Sequence, residues 1–203
     1  MPSSTPAVRS ARGRDDFAPD HGKGFPIARK VEFVCGGVMS RSAGIGMGRV
    51  RSARMQEMDC VAALWVLVTE HHGSLDPLFR MRRGPVAEGE LRELLGALFR
   101  DPDVDILIFD VEGTPQGLCI VRIDRAPPIL EETERAEITD LGVRPAYRRR
   151  GIASRLVEEA QTWVRDRGVS RIEIQVAHGN IEGQSFWRSM GFGDLMDVLH
   201  KRL

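Results

Sequence analysis

The sequence is poor in the features that mark several large protein classes. Its 203 residues include three cysteines, Cys35, Cys60 and Cys119, far apart and without a Cys-x-x-Cys pair. That argues against a disulfide scaffold and a cysteine zinc site, and no metal is expected. There is one tyrosine, and aromatics make up 6%, too few for a stacking platform that binds single-stranded nucleic acid. Excess charge is absent as well: 29 basic residues balance 29 acidic ones. A nucleic-acid coat or polybasic membrane binder is normally strongly positive. No apolar run approaches the roughly 20 residues that span a bilayer, and the first residues lack the apolar core of a secretory signal. Gly-Lys-Ser/Thr occurs nowhere, which removes a Walker A loop. A reducing, cytoplasmic setting is therefore expected, with no nucleic-acid or membrane partner. What remains is 42% hydrophobic and 29% charged residues, enough to bury the core of one domain at this length.

The chain divides by composition. Residues 1–47 are rich in Ser, Pro, Gly and Arg and hold no sustained period, so a disordered or dispensable N-terminal extension is expected there. Met39 and Met47 are each candidate starts. Within it, residues 31–35 could form a strand followed by glycines, the opening of a dinucleotide-binding turn. A helix would have to follow those glycines, and Arg49 to Arg54 reads instead as a strand. From residue 48 to 203 the pattern is that of one folded domain.

In that domain Met55 to His71 carries Met58, Val61, Ala62, Leu64, Trp65 and Val68 at helical spacing. Gly73, Asp76 and Pro77 break it. Glu88 to Arg100 is a second helix burying Leu91, Leu94, Leu95, Leu98 and Phe99. Val104 to Val111 and Gly117 to Ile123 form a hairpin around residues 112–115. A loop spans 124–133. Ala136 to Val143 reads as a strand with a parity fault: Ala136 and Ile138 share one face, Leu141 and Val143 the other. One extra residue, a β-bulge, would re-aim them. Gly151 to Arg167 is a helix closed by Gly168. Arg171 to Val176 alternates as a strand, Asn180 caps a short helix ending at Gly191, and Phe192 to Leu203 is expected to add one or two strands. The order β-α-α-β-β-β-α-β-α-β is that of a mixed α/β sheet.

The segment from Val143 to Ala153 runs from a strand through a turn into a helix. The first amides of such a helix lack internal partners and sit at the positive end of its dipole. Gly151 and Ala153 let a large anion approach the backbone, and Arg148, Arg149 and Arg150 stand beside it. This makes an anion cradle suited to a diphosphate.

With these residues in place, the sequence resembles the GNAT superfamily of N-acetyltransferases. Arg148, Gly151 and Ala153 match the family's phosphate loop, Gln/Arg-x-x-Gly-x-Gly/Ala. Asn180, Gly183, Phe186, Trp187, Gly191 and Phe192 fall on its later signature. The resemblance covers about residues 48–203 and includes the element order and the bulged central strand. It implies acetyl-CoA as co-substrate and a primary amine, on a small molecule or peptide, as acceptor. It assigns cofactor binding to the backbone around Leu141, Gly142 and Val143, to Arg148, Arg149, Arg150, Gly151, Ile152 and Ala153, and to Asn180 and Phe186. The Leu141 amide would point at the thioester oxygen. A homodimer is compatible with this reading.

Acetyl transfer to an amine needs a proton acceptor, because an amine of pKa about 10.4 is almost wholly charged at neutral pH. Glu137, four residues before Leu141, stands where some family members carry their general base; Asp140 is the second candidate, and ordered water the third. The family's usual tyrosine acid is replaced by Trp187, whose indole N–H is no practical acid. That substitution keeps an alternative open, a non-catalytic acyl-CoA-binding sensor on the same fold. His71 and His72 do not share a helix face well enough to hold a metal; they end a helix whose following loop borders the acceptor pocket in the family.

Overall fold

The computed structural model describes residues 48–203. The extension over 1–47, with the candidate strand at 31–35, lies outside the described residues. Five strands form one sheet in the order β1-β2-β3-β4-β5: β1 Arg49–Ser52, β2 Val104–Val111, β3 Thr114–Arg125, β4 Glu134–Val143 and β5 Ile172–Ile174. All neighbours are antiparallel except β4 and β5. Helices α1 (Met58–Leu75) and α2 (Pro85–Leu98) lie on one face, α3 (Ile152–Asp166) on the other, and α4 (Ile181–Ser189) follows β5.

The two cores follow the expected periods. Val61, Ala62, Leu64 and Trp65 of α1 and Leu91 and Leu95 of α2 pack on Ile106, Ile108, Leu118 and Ile120. On the opposite face Ile152, Leu156, Val157, Ala160 and Val164 of α3 pack on Leu107, Phe109, Cys119, Val121, Ala136 and Ile138. Alternate residues of β2 and β3 thus feed different layers, as the two-residue period of a strand requires. Each layer comes close at a missing side chain. A Cβ on Gly142 would meet Val68 Cγ2 at 2.2 Å, and one on Gly117 would meet Leu156 Cδ1 at 3.0 Å. So α1 rests directly on β4, and α3 on β3.

The expected bulge is present. Ile120 pairs with Asp140 and Val121 with Ile138, which leaves Thr139 without a partner on β3. The extra residue brings Leu141 and Val143 onto the same core as Ala136 and Ile138, and leaves Glu137, Asp140 and Gly142 toward α1.

Several boundaries differ from the sequence reading. The β2–β3 turn is the two residues Glu112 (φ 50°) and Gly113 (φ 80°), the left-handed pair that matches strand twist. With Pro115 inside the strand, β3 extends to Arg125, where Glu134 and Asp103 meet the arginine. Helix α1 runs four residues past His71, because Asp76 rather than Gly73 ends it: its carboxylate accepts from the Leu78 amide. The final strands expected over Phe192 to Leu203 do not form; that segment has no regular structure. Its apolar residues come in adjacent pairs, Leu195-Met196 and Val198-Leu199, so no single face alternates, and all four are exposed.

Candidate active site

Strands β4 and β5 pair over three positions, Ala136 to Ile138 against Ile172 to Ile174. Beyond them β5 ends and β4 continues with no strand on that side among the described residues. The Arg144 amide donates to the Gln116 carbonyl of β3 at 2.9 Å. By strand alternation Gly142 turns its backbone the same way, and Leu141 and Val143 turn theirs into the gap. The gap is the floor of a cleft of about 850 Å³, lined by Leu141, Gly142 and Val143. That volume suits a large organic ligand.

At one end of the cleft the chain passes from β4 through the short turn Pro145–Tyr147 into α3. Arg149 (φ 60°) and Gly151 (φ 75°) are both left-handed, which curls successive amides into a concave nest for an anion. No side chain caps α3 at Gly151. The first intrahelical bond is Arg155 to Gly151, so the amides of Ile152, Ala153 and Ser154 have no partner within the helix. A Cβ at Gly151 would meet nothing within 4 Å; it would project into open space at the cradle. Arg148, Arg149, Gly151, Ile152 and Ala153 line the cleft, and Arg150 does not. The Arg150 guanidinium instead lies 5.7 Å from the centre of the Tyr147 ring. Arg148 Nε donates to the Val143 carbonyl at 3.0 Å, tying the turn to β4 and using one of the backbone groups assigned above to the cofactor. A left-handed, uncapped turn with free amides and flanking arginines has the chemistry to hold an anion.

The wall opposite α1 comes from α4. Asn180 Oδ1 accepts from the Gly183 amide at 2.9 Å, so it caps α4 while also lining the cleft. Phe186 and Trp187 line the same wall. Trp187 is held edge-on to Phe186 and to Phe192, both at 5.1 Å.

At the other end the carboxylates separate. Neither Glu137 nor Asp140 is a cleft-lining residue; Thr139 between them is. The Glu137 carboxylate is taken up by Arg122, at 2.7 and 3.1 Å. Asp140 accepts from Thr139 Oγ1 at 2.8 Å. Removal from water pushes its carboxyl up to about 6, with the Glu137 charge adding and hydrogen bonds from Thr139 and Trp65 opposing. The sequence reading passed over Thr139, whose signal was the parity fault itself. It also gave little weight to His71 and His72, which line the cleft beside Leu67 and Val68. Val68 touches β4, and the next helical turn carries both histidines over the gap. Burial, then the neighbouring His71, lowers the His72 pKa.

Among the described residues no group of three His, Cys, Asp or Glu side chains converges on a metal-sized point, and no helix is long and apolar enough to cross a membrane.

Comparison with known proteins points the same way. The model of the acetyltransferase (GNAT) family matches residues 67–192. No curated protein matches the sequence at a significant level. Among solved structures, a tetramutant protein from Bacillus halodurans is similar at 21% identity, covering 76% of this chain and 99% of its own, with a TM-score of 0.66. The aminoglycoside N-acetyltransferase AAC(6')-Iy, solved with CoA, is 16% identical over 82% of this chain and 99% of its own, at a TM-score of 0.62. A predicted acetyltransferase from Clostridium acetobutylicum, solved with acetyl-CoA, is 14% identical over 77% and 96%, also at 0.62. At such identities the likeness is one of fold.

Proposed function

The chain belongs to the GNAT acetyltransferase family, and from that premise we propose that residues 48–203 transfer the acetyl group of acetyl-CoA to a primary amine by direct attack. The observation that carries the reading is the left-handed, uncapped turn from Arg148 to Ala153 opening beside the unpaired edge of β4. An anionic diphosphate fits the first, and an extended amide-bearing arm fits the second.

Acetyl-CoA supplies the activated thioester carbonyl. The chain's own contribution is mostly positional. Amides of the turn and the first turn of α3 hold the diphosphate at the positive end of the helix dipole. The Leu141 backbone and the Val143 amide hold the pantetheine arm as a further strand would be held, and the Leu141 amide aims at the thioester oxygen, where negative charge develops. Asn180 and Phe186 close the side toward α4. The amine approaches from the α1 end, between β4 and the histidine turn. Its nitrogen bonds to the acetyl carbon as the carbon–sulfur bond breaks, and one nitrogen proton ends on sulfur as the free thiol. With a thiol pKa near 8.5 the leaving group needs little help, so Trp187 in place of a tyrosine is tolerable. Of the two carboxylates, Asp140 suits the base better: it adjoins Leu141 and burial pushes its carboxyl up to about 6, whereas Glu137 is committed to Arg122.

The test is acetyl-CoA turnover over a broad amine panel that includes aminoglycosides, polyamines, amino acids and peptide N-termini, beside a CoA titration. Binding with thiol release on at least one amine supports the reading. Binding without turnover on any amine favours the acyl-CoA sensor instead.

A further inference from the structure

We propose that Thr139, the bulge residue of β4, meets the acceptor ammonium and relays its proton to Asp140 behind it. This deepens the acetyl-transfer reading and rests on it. The cleft reaches Thr139 and not Asp140. The Thr139 hydroxyl donates to Asp140 Oδ2 at 2.8 Å. A hydroxyl whose hydrogen is committed to a carboxylate presents only lone pairs elsewhere, and here elsewhere is the cleft. Buried Trp65 of α1 lies on the other side of Asp140, so the carboxylate sits between a packed indole and an exposed relay.

The bulge makes this arrangement. In an unbroken strand Asp140 would share the face of Ile138 and enter the core beside Leu107 and Val157. With Thr139 set out of register, Asp140 turns toward α1 and Thr139 stands where β4 and β5 part, at the mouth of the fork between them.

The step is a pure proton transfer. The N–H bond of the ammonium breaks and its proton bonds to Thr139 Oγ1, while the hydroxyl's own proton passes to Asp140 Oδ2. The products are a neutral amine, an unchanged threonine and a neutral carboxylic acid, which later loses its proton to water. Asp140 is poised for it, since its carboxyl titrates near 6. The charged or titratable groups facing it are Glu137 on β4 and Arg122 on β3. From α1, beside Trp65, come His71 and His72 in the cleft.

The experiment measures kcat/KM from pH 6 to 10 on the best amine for wild type, Thr139→Val, Thr139→Ser, Asp140→Asn and the Thr139→Val/Asp140→Asn double variant. Acetyl-CoA affinity and melting temperature are followed in parallel. Thr139→Val should lower kcat/KM about 100-fold at pH 7, with acetyl-CoA affinity unchanged and the deficit shrinking toward pH 10. Thr139→Ser should restore most of the rate. The double variant should be no slower than the slower single one, because both break one path. Thr139→Ala replaces the valine variant if that one unfolds. Wild-type rates in Thr139→Val, equal losses in the serine variant, or losses that multiply would each overturn the relay while acetyl transfer stands. Acetyl-CoA binding with no turnover by wild type would overturn both.

Discussion

The two ends of the cleft are built from different materials. At the α3 end the groups turned to the cleft in the proposed reading are main-chain amides, and side chains matter mainly by being small or absent. At the α1 end they are side chains brought together from α1, β3 and β4: Trp65, Arg122, Thr139, Asp140 and the two histidines. A backbone site is encoded locally, since a turn of a few residues carries its whole geometry. A side-chain site exists only after helix and sheet have packed. The first should tolerate changes that keep its dihedral angles. The second should be sensitive to anything that moves α1 on β4.

The largest expected effect attacks the backbone end. Gly151→Asp puts a negative charge where the proposed diphosphate would lie, and like charges in contact cost several kcal/mol. CoA affinity should fall about 100-fold or more in a titration, while the fold survives at a cost of about 1 kcal/mol of left-handed strain, because an added Cβ meets nothing within 4 Å and Asp is among the residues that tolerate φ 75°. Gly151→Asn shares the left-handed tolerance without the charge, so its loss should be much smaller. Equal losses in the two would mean that shape rather than charge governs this end.

Next comes the packing beneath the side-chain end. Gly142→Ala would set a methyl 2.2 Å from Val68 Cγ2, and overpacking of this kind costs about 1–3 kcal/mol. Thermal or urea unfolding should show that loss, and Val68→Ala in the same chain should recover part of it. If the alanine variant is as stable as wild type, α1 does not bear on β4 as described.

Asp140→Asn tests the electrostatics of the same end. A carboxyl raised above its unfolded value favours folding when protonated. That contribution is complete below about pH 4 and lost as pH rises through 6. The difference between about 6 and the ordinary 3.8 is worth at most about 3 kcal/mol, and less because the side chain is only half-buried. The asparagine variant should therefore match wild type near pH 4 and be more stable by up to that amount at pH 8. A gap that is constant with pH would show that Asp140 is well solvated.

The smallest effect separates the two carboxylates. Glu137→Gln breaks the half-buried pair with Arg122 and should cost about 1 kcal/mol of stability. Turnover should survive, with its acidic limb moved slightly to lower pH, because the Glu137 charge helps to raise Asp140. Loss of rate comparable to Asp140→Asn would return the base to Glu137.

This division also explains what could be read from the sequence. The strand–turn–helix around Gly151, the bulge and the Asn180 cap each lie within a dozen residues, and local spacing was enough to find their backbone form. The pairing of Glu137 with Arg122 depends on the register of β3 against β4, shifted by one at Thr139, which no local pattern states. His71 and His72 were placed at a helix end because Gly73 reads as a breaker. The helix runs on to Leu75 since tertiary packing outweighs one glycine, and only then do the histidines overhang the fork. The missing C-terminal strand failed on a pattern that was visible, the paired apolar residues, but was outweighed by the expected element order.

Thr139 carries one more consequence, which belongs to heredity rather than chemistry. Removing that single codon would leave Ala136, Ile138, Leu141 and Val143 on one face and Glu137, Asp140 and Gly142 on the other, as now. Removing Glu137 or Ile138 instead would change which side chains meet which core unless the ladder slipped to absorb it. The sheet can thus lose this residue without losing its inside and outside. A plain ladder and a forked one are one in-frame insertion apart.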